Sequence, residues 1–225
     1  MEEKYSSEKL SLNKWIANFW YYHKWLFLLG VVFVLFAVIA TVQYAAKTEP
    51  DASLLYVGPQ VISNAQADNI RNSVVSVMTE DPDGNGKKSV DLKTITLPSE
   101  YGEVLAQEVP IDAARDAYQA YSDELLAGDS CILLLDETFF LELSADGALM
   151  PLDEALGAQP ENADAYGIRL KELKIRHLPG FSSLSGDTVL CIKYVSAQKK
   201  ESLEELARIE EGNKSVFRDL VTYAP

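Results

Sequence analysis

Residues 81–92, "DPDGNGKKSVDL", gather side chains suited to holding a metal ion. Asp81, Asp83, Asn85 and Gly86 fall at positions 1, 3, 5 and 6 of a calcium loop of the D-x-D-x-[DN]-G kind. That spacing offers an oxygen at every second residue, and the glycine admits the sharp turn. The main-chain carbonyl of Lys87 would be the next ligand. The second half departs from the pattern. Lys88 stands at position 8, where an apolar residue is usual, and Leu92 at position 12, where glutamate is usual. Asp91 comes one residue early and would substitute only if the loop closes differently. The same residues also fit a polar turn with Asx hydrogen bonds ahead of a strand. Calcium is the one cofactor the sequence offers.

Catalytic patterns are lacking. His23 abuts an apolar run, and His177 stands alone. "GFSSLSG" is no nucleophile elbow, because Leu184 follows Ser183 where glycine is required. Two distant cysteines and two histidines have no zinc spacing. The carboxylates of Glu204, Glu205, Glu210 and Glu211 belong to a solvated helix face. The expectation is a protein that binds and does not catalyse.

The elements that would position any site alternate between strand and helix. "SLLYVG" is an apolar run ended by Gly58-Pro59, a first strand. Ala67, Ile70, Val74, Val77 and Met78 recur at helical spacing. "SVDLKTITL" alternates as a strand, and residues 111–126 form a second amphipathic helix. "CILLLD" reads as a strand covered on both faces, and "ETFFLELSADG" as a short helix. "YGIRLKEL" holds a further strand and "TVLCIKYVS" the last one. "KKESLEELARIEE" is helical, Gly212-Asn213 breaks it, and "KSVFRDLVTY" is a separate short helix. This order predicts an α/β domain with a mostly parallel sheet and helices on both faces. Ligands of such sheets collect at the carboxyl ends of strands. Here that selects Gly58, Gln60, Glu100, Asp136, Glu137 and Thr138.

No charged residue occurs from Trp25 to Ala46. A run of this length matches a hydrocarbon layer of about 30 Å. It is longer than a signal-peptide core, 24 residues precede it, and Tyr44 is too bulky for the −3 position of a cleavage site. The expectation is an uncleaved signal anchor. Lys4, Lys9, Lys14 and Lys24 precede it, whereas Glu49 and Asp51 follow soon after Lys47. That charge bias predicts a cytoplasmic N-terminus and an extracellular C-terminal domain. Trp15, Phe19, Trp20, Tyr21, Tyr22 and Trp25 suit the headgroup layer, with a short interfacial helix leading into the span. The expected organisation is an interfacial segment at 1–24, the anchor at 25–46, a linker at 47–52 and the α/β domain at 53–225.

Of 20 lysines and arginines and 34 acidic residues, residues 1–47 hold five and three. The rest therefore carries 15 against 31. Nucleic acid is an unfitting partner for so acidic a surface. The expected partners are the lipid bilayer, through one helix, and a small solute or another membrane protein. Cys131 and Cys191 lie in apolar strand-like runs and are expected as buried free thiols.

One stretch also carries a family likeness. Ala127-Gly128-Asp129 closes a helix, Ile132 to Asp136 forms a buried strand ending in Asp, and Phe139-Phe140 lie in the next helix. Gly147-Ala148-Leu149-Met150-Pro151-Leu152-Asp153 follows as G-x-L-x-P-L-D. In that order these signals resemble the extracellular solute-binding proteins of ABC importers, particularly the sugar-binding group. The resemblance implies a single lobe of that fold. Family members have two lobes that close on the ligand, and they are secreted or held by a lipidated cysteine; this chain has room for one lobe and a membrane helix as its tether. The resulting expectation is a membrane-anchored, extracytoplasmic binding domain. An assembly subunit of a cell-envelope complex, keeping the fold without a small-molecule ligand, is the other reading.

Overall fold

The computed structural model describes residues 12–45, 50–97, 111–127, 130–195 and 202–224. Glu100, Gly128 and Asp129 lie outside these residues. The chain forms two compact units, residues 1–49 and 50–225.

The described part of the first unit is one helix, α1 (Leu12–Ala45). The short lead-in helix and the apolar run are therefore continuous. No proline or glycine pair interrupts the segment, so nothing removes a backbone hydrogen bond. Phe19–Ile39 is long and apolar enough to cross a membrane or to serve as a signal sequence. Its large side chains are exposed, Trp25 at 77% and Phe33 at 72%.

The second unit is an α/β fold around a five-stranded mixed, mostly parallel sheet. Its strands are β1 (Ala52–Gly58), β2 (Val90–Thr96), β3 (Ile132–Leu135), β4 (Gly167–Arg169) and β5 (Val189–Ile192). Their order across the sheet is β2-β1-β3-β5-β4. β1 pairs in parallel with β2 and β3, whereas β5 runs antiparallel to both β3 and β4. Every residue of β1, β3 and β5 is buried. Central strands without a polar face read as continuous apolar runs, which is how "LLYV" and "ILLL" appear in the sequence.

The intervening helices are α2 (Asn64–Val77), α3 (Ile111–Ala127), α4 (Glu137–Ala145), α5 (Leu152–Leu156) and α6 (Leu203–Thr222). Strand side chains alternate between two clusters, as the pleat requires. Leu54, Tyr56, Ile132, Leu134 and Leu190 join Ile70 and Val74 of α2 and Phe217 and Leu220 of α6. Leu55, Val57, Leu133, Leu135 and Cys191 join Tyr121 of α3 and Phe139 and Phe140 of α4. Full burial of each such aliphatic side chain is worth roughly 1.5–3 kcal/mol. Cys131 and Cys191 are both buried and form no disulfide.

α6 departs from expectation by running unbroken through Gly212 and Asn213. Packing explains the continuity. A Cβ at Gly212 would lie 3.0 Å from Pro82 Cβ, so glycine lets the helix approach the α2–β2 loop. Asn213 is buried, and its amide donates to the Ile209 carbonyl at 2.9 Å, within the helix. The roughly 1 kcal/mol that glycine costs a helix interior is outweighed by the burial of Val216, Phe217 and Leu220.

Candidate functional site

Two places on the second unit gather the candidate residues, at opposite ends of β1. The first is the carboxyl edge. From β1 the chain crosses to β2 on one side, then returns to β3 on the other, so the connections diverge between β1 and β3. Such a switch point opens a crevice beyond the strand ends. Gly58 ends β1, and Asp136 follows β3, its N–H donating to Val57 O at 2.9 Å.

Asp136 is the N-cap of α4, accepting from the Thr138 N–H at 3.2 Å. The "D-E-T" at the strand end is thus a helix start, with Glu137 in the first turn, where a carboxylate suits the dipole. Glu137 forms an ion pair with Arg169, at the carboxyl end of β4. Arg169 Nε is shielded from solvent and has no hydrogen-bond partner among the described residues. Gln60 donates from its side chain to Ser183 O at 3.0 Å.

Gly58 is bare for a reason. Tyr56 folds over it, and a Cβ there would lie 2.7 Å from the Tyr56 hydroxyl and 3.6 Å from Asp136 Cβ. That hydroxyl accepts from the Gln60 N–H at 3.3 Å. Burial pushes the Tyr56 phenol above its ordinary range, and the Asp136 charge adds to this against the Gln60 N–H. Tyr56, Arg169 and Ser183 were not expected at this edge. Tyr56 reads in sequence as one more apolar strand residue, and the other two arrive from segments distant in sequence, Arg169 at the end of β4 and Ser183 in a short 3-10 helix.

The second place is the amino end. Residues 81–88 form a loop wrapped around its own aspartates. Asp81 accepts from the N–H of Gly84 at 3.1 Å and of Gly86 at 2.6 Å. Asp83 accepts from the Asn85 N–H at 2.9 Å and from the Asn85 amide. Asn85 Oδ1 accepts from the Lys87 N–H at 2.8 Å. Gly84 and Gly86 both have positive φ, 69° and 82°, the left-handed conformation glycine adopts without strain. Asp91 sits in β2 opposite Ser53.

A third carboxylate comes from outside the loop. Asp51, placed by the sequence in a linker, lies just ahead of β1. Parallel pairing of β1 with β2 brings it to Ser89. Its N–H donates to Ser89 O at 2.9 Å, and its Oδ2 accepts from Ser89 N–H at 2.7 Å. One carboxylate oxygen from each of Asp51, Asp81 and Asp83 lies within 4.8 Å of the others. Asp51 is only 9% exposed. Burial, joined by the Asp83 and Asp81 charges, holds its carboxyl above the usual range against the pull of backbone N–H groups at Ser89 and Asp83. Desolvation also pulls Asp81 upward, but hydrogen bonds from the Gly86 and Gly84 N–H groups leave it below that range. An acidic residue ahead of a strand was the only sequence signal for Asp51, and it needed the strand pairing to acquire meaning.

Comparison of the chain with protein-family models, with curated proteins and with solved structures finds no match.

Proposed function

We propose that this protein is a membrane-anchored binding domain whose ligand seats against the carboxyl ends of β1 and β3. The observation that carries this reading is the switch point between those strands, edged by Gly58, Gln60, Asp136 and Glu137. The partly exposed Arg169 guanidinium stands at the same edge, its Nε–H without a hydrogen-bond partner among the described residues. A few convergent polar groups are the usual means by which a small-solute site fixes its ligand. The two core clusters support helices on both faces of the sheet, as in one lobe of a solute-binding protein. With one lobe, half the usual contacts are missing, so affinity for a free solute is weak unless a partner supplies the other wall. α1 is the anchor, with the N-terminus cytoplasmic and the α/β unit outside, as the lysine bias predicts.

The assembly reading has its own support. Asp136 is used as a cap, Glu137 is held by Arg169, and Gln60 is tied to Ser183, so these groups already serve the fold.

Thermal unfolding of the full chain in detergent, with sugars and amino acids as probes, separates the two. A ligand that binds only the native state must raise Tm. Stabilisation by a solute that Arg169→Gln abolishes supports the solute site. No shift with any solute removes that reading and leaves a protein partner. Protease protection in intact cells tests the orientation: a second unit digested only after lysis would reverse it.

A further inference from the structure

We infer that Asp51, Asp81 and Asp83 form a calcium site that ties the start of β1 to the α2–β2 loop. The grounds are geometric. Their oxygens lie within 4.8 Å of one another, about twice the Ca–O distance of 2.3–2.6 Å, so one ion can touch all three. Asp51 Oδ1 is sealed from solvent, and no donor among the described residues reaches it in good hydrogen-bond geometry, while Oδ2 accepts from the Ser89 N–H. An unpaired carboxylate oxygen, buried beside two further carboxylates, is costly without a cation. Within the group every donor atom is oxygen, with no histidine or cysteine, which selects a hard cation over zinc.

The choice of calcium follows from the shape of the site. Two of the three ligands lie in a glycine-rich loop and the third comes from a strand end, an irregular set that suits calcium's flexible coordination better than magnesium's strict octahedron. The exposed side of Asp83 leaves room for water ligands. Asp51 takes the part that the sequence pattern would give to a residue near position 12, so Asp91 and Leu92 are free to serve β2. The cation site does not depend on what the strand ends bind, because it lies at the other end of β1.

The test uses the full chain in detergent, stripped with chelator and titrated with calcium or magnesium at matched ionic strength. Calcium at about 100 times Kd raises Tm by roughly 5–10 °C, and magnesium does much less. Asp83→Asn, at an exposed position, keeps the fold and weakens calcium binding by roughly tenfold or more, measured calorimetrically. Asp51→Asn does the same, and in chelator it unfolds no earlier than the parent, because a repulsive charge has gone. Three results would each overturn the proposal: no calcium effect up to about 10 mM, which is above the weakest natural sites; a shift that Asp83→Asn leaves unchanged; or an equal response to magnesium.

Discussion

At the residue scale, Gly58 and Tyr56 show how closely the carboxyl edge is fitted. The Tyr56 ring is 3% exposed and lies over Gly58. Gly58→Ala would drive a methyl into the phenol oxygen, and a buried aromatic cannot swing aside. The expected cost is about 1–3 kcal/mol, read as a lower urea midpoint with unchanged slope. Adding Tyr56→Phe removes the oxygen and should recover part of the loss. Recovery of nothing would place the strain elsewhere. The same burial has a pH consequence. The Tyr56 and Tyr121 phenols are held above their usual range, chiefly by desolvation. Their neutral forms stabilise the fold fully below about pH 10, the unfolded value, and that contribution is lost as pH rises through the folded values. Spectrophotometric titration should show tyrosines that ionise late and together with unfolding. Little of this was legible in "LLYVG". A tyrosine in an apolar run announces burial, but which atom it faces depends on the turn beyond Gly58.

At the element scale, helix ends are secured by side chains from other elements as well as their own. Ser63 caps α2 locally, accepting from the Gln66 N–H. The far end of α2 relies on α6: Asp219 accepts from the Thr79 N–H at 2.6 Å and from the Thr79 hydroxyl. Asp219→Ala should destabilise by about 1–2 kcal/mol, and hydrogen exchange should rise first in the last turn of α2. Uniform loss of protection across the unit would speak against that local role. The amphipathic spacing of α2 and the continuous apolar runs of β1 and β3 were plain in sequence, since periodicity reflects which faces are covered. The continuity of α6 was not. Gly212-Asn213 has the composition of a helix stop, and only its packing against Pro82 and the core beneath it reverses that local preference.

At the scale of the whole molecule, the thiols report on the core. Cys191 in β5 and Cys131, just ahead of the neighbouring β3, form no disulfide, and burial pushes the Cys191 thiol far above its usual range. Neither should react with a thiol reagent in the native state, and both should react within one cooperative transition in denaturant. Prompt modification of one thiol in the native protein would show that the core opens locally. The sequence by itself determined the apolar helix, the α/β class and the acidic loop, because composition and period are local properties that burial and solvent read directly. It also placed Gly58 and Asp136 at strand ends, since strand ends follow from strand boundaries. Tertiary structure alone decided the rest. The antiparallel placement of β5 beside β3, the meeting of Glu137 with Arg169, and the arrival of Asp51 at the aspartate loop are all contacts between distant segments. Such contacts leave no periodic trace in either segment; they exist only once the sheet has set its order.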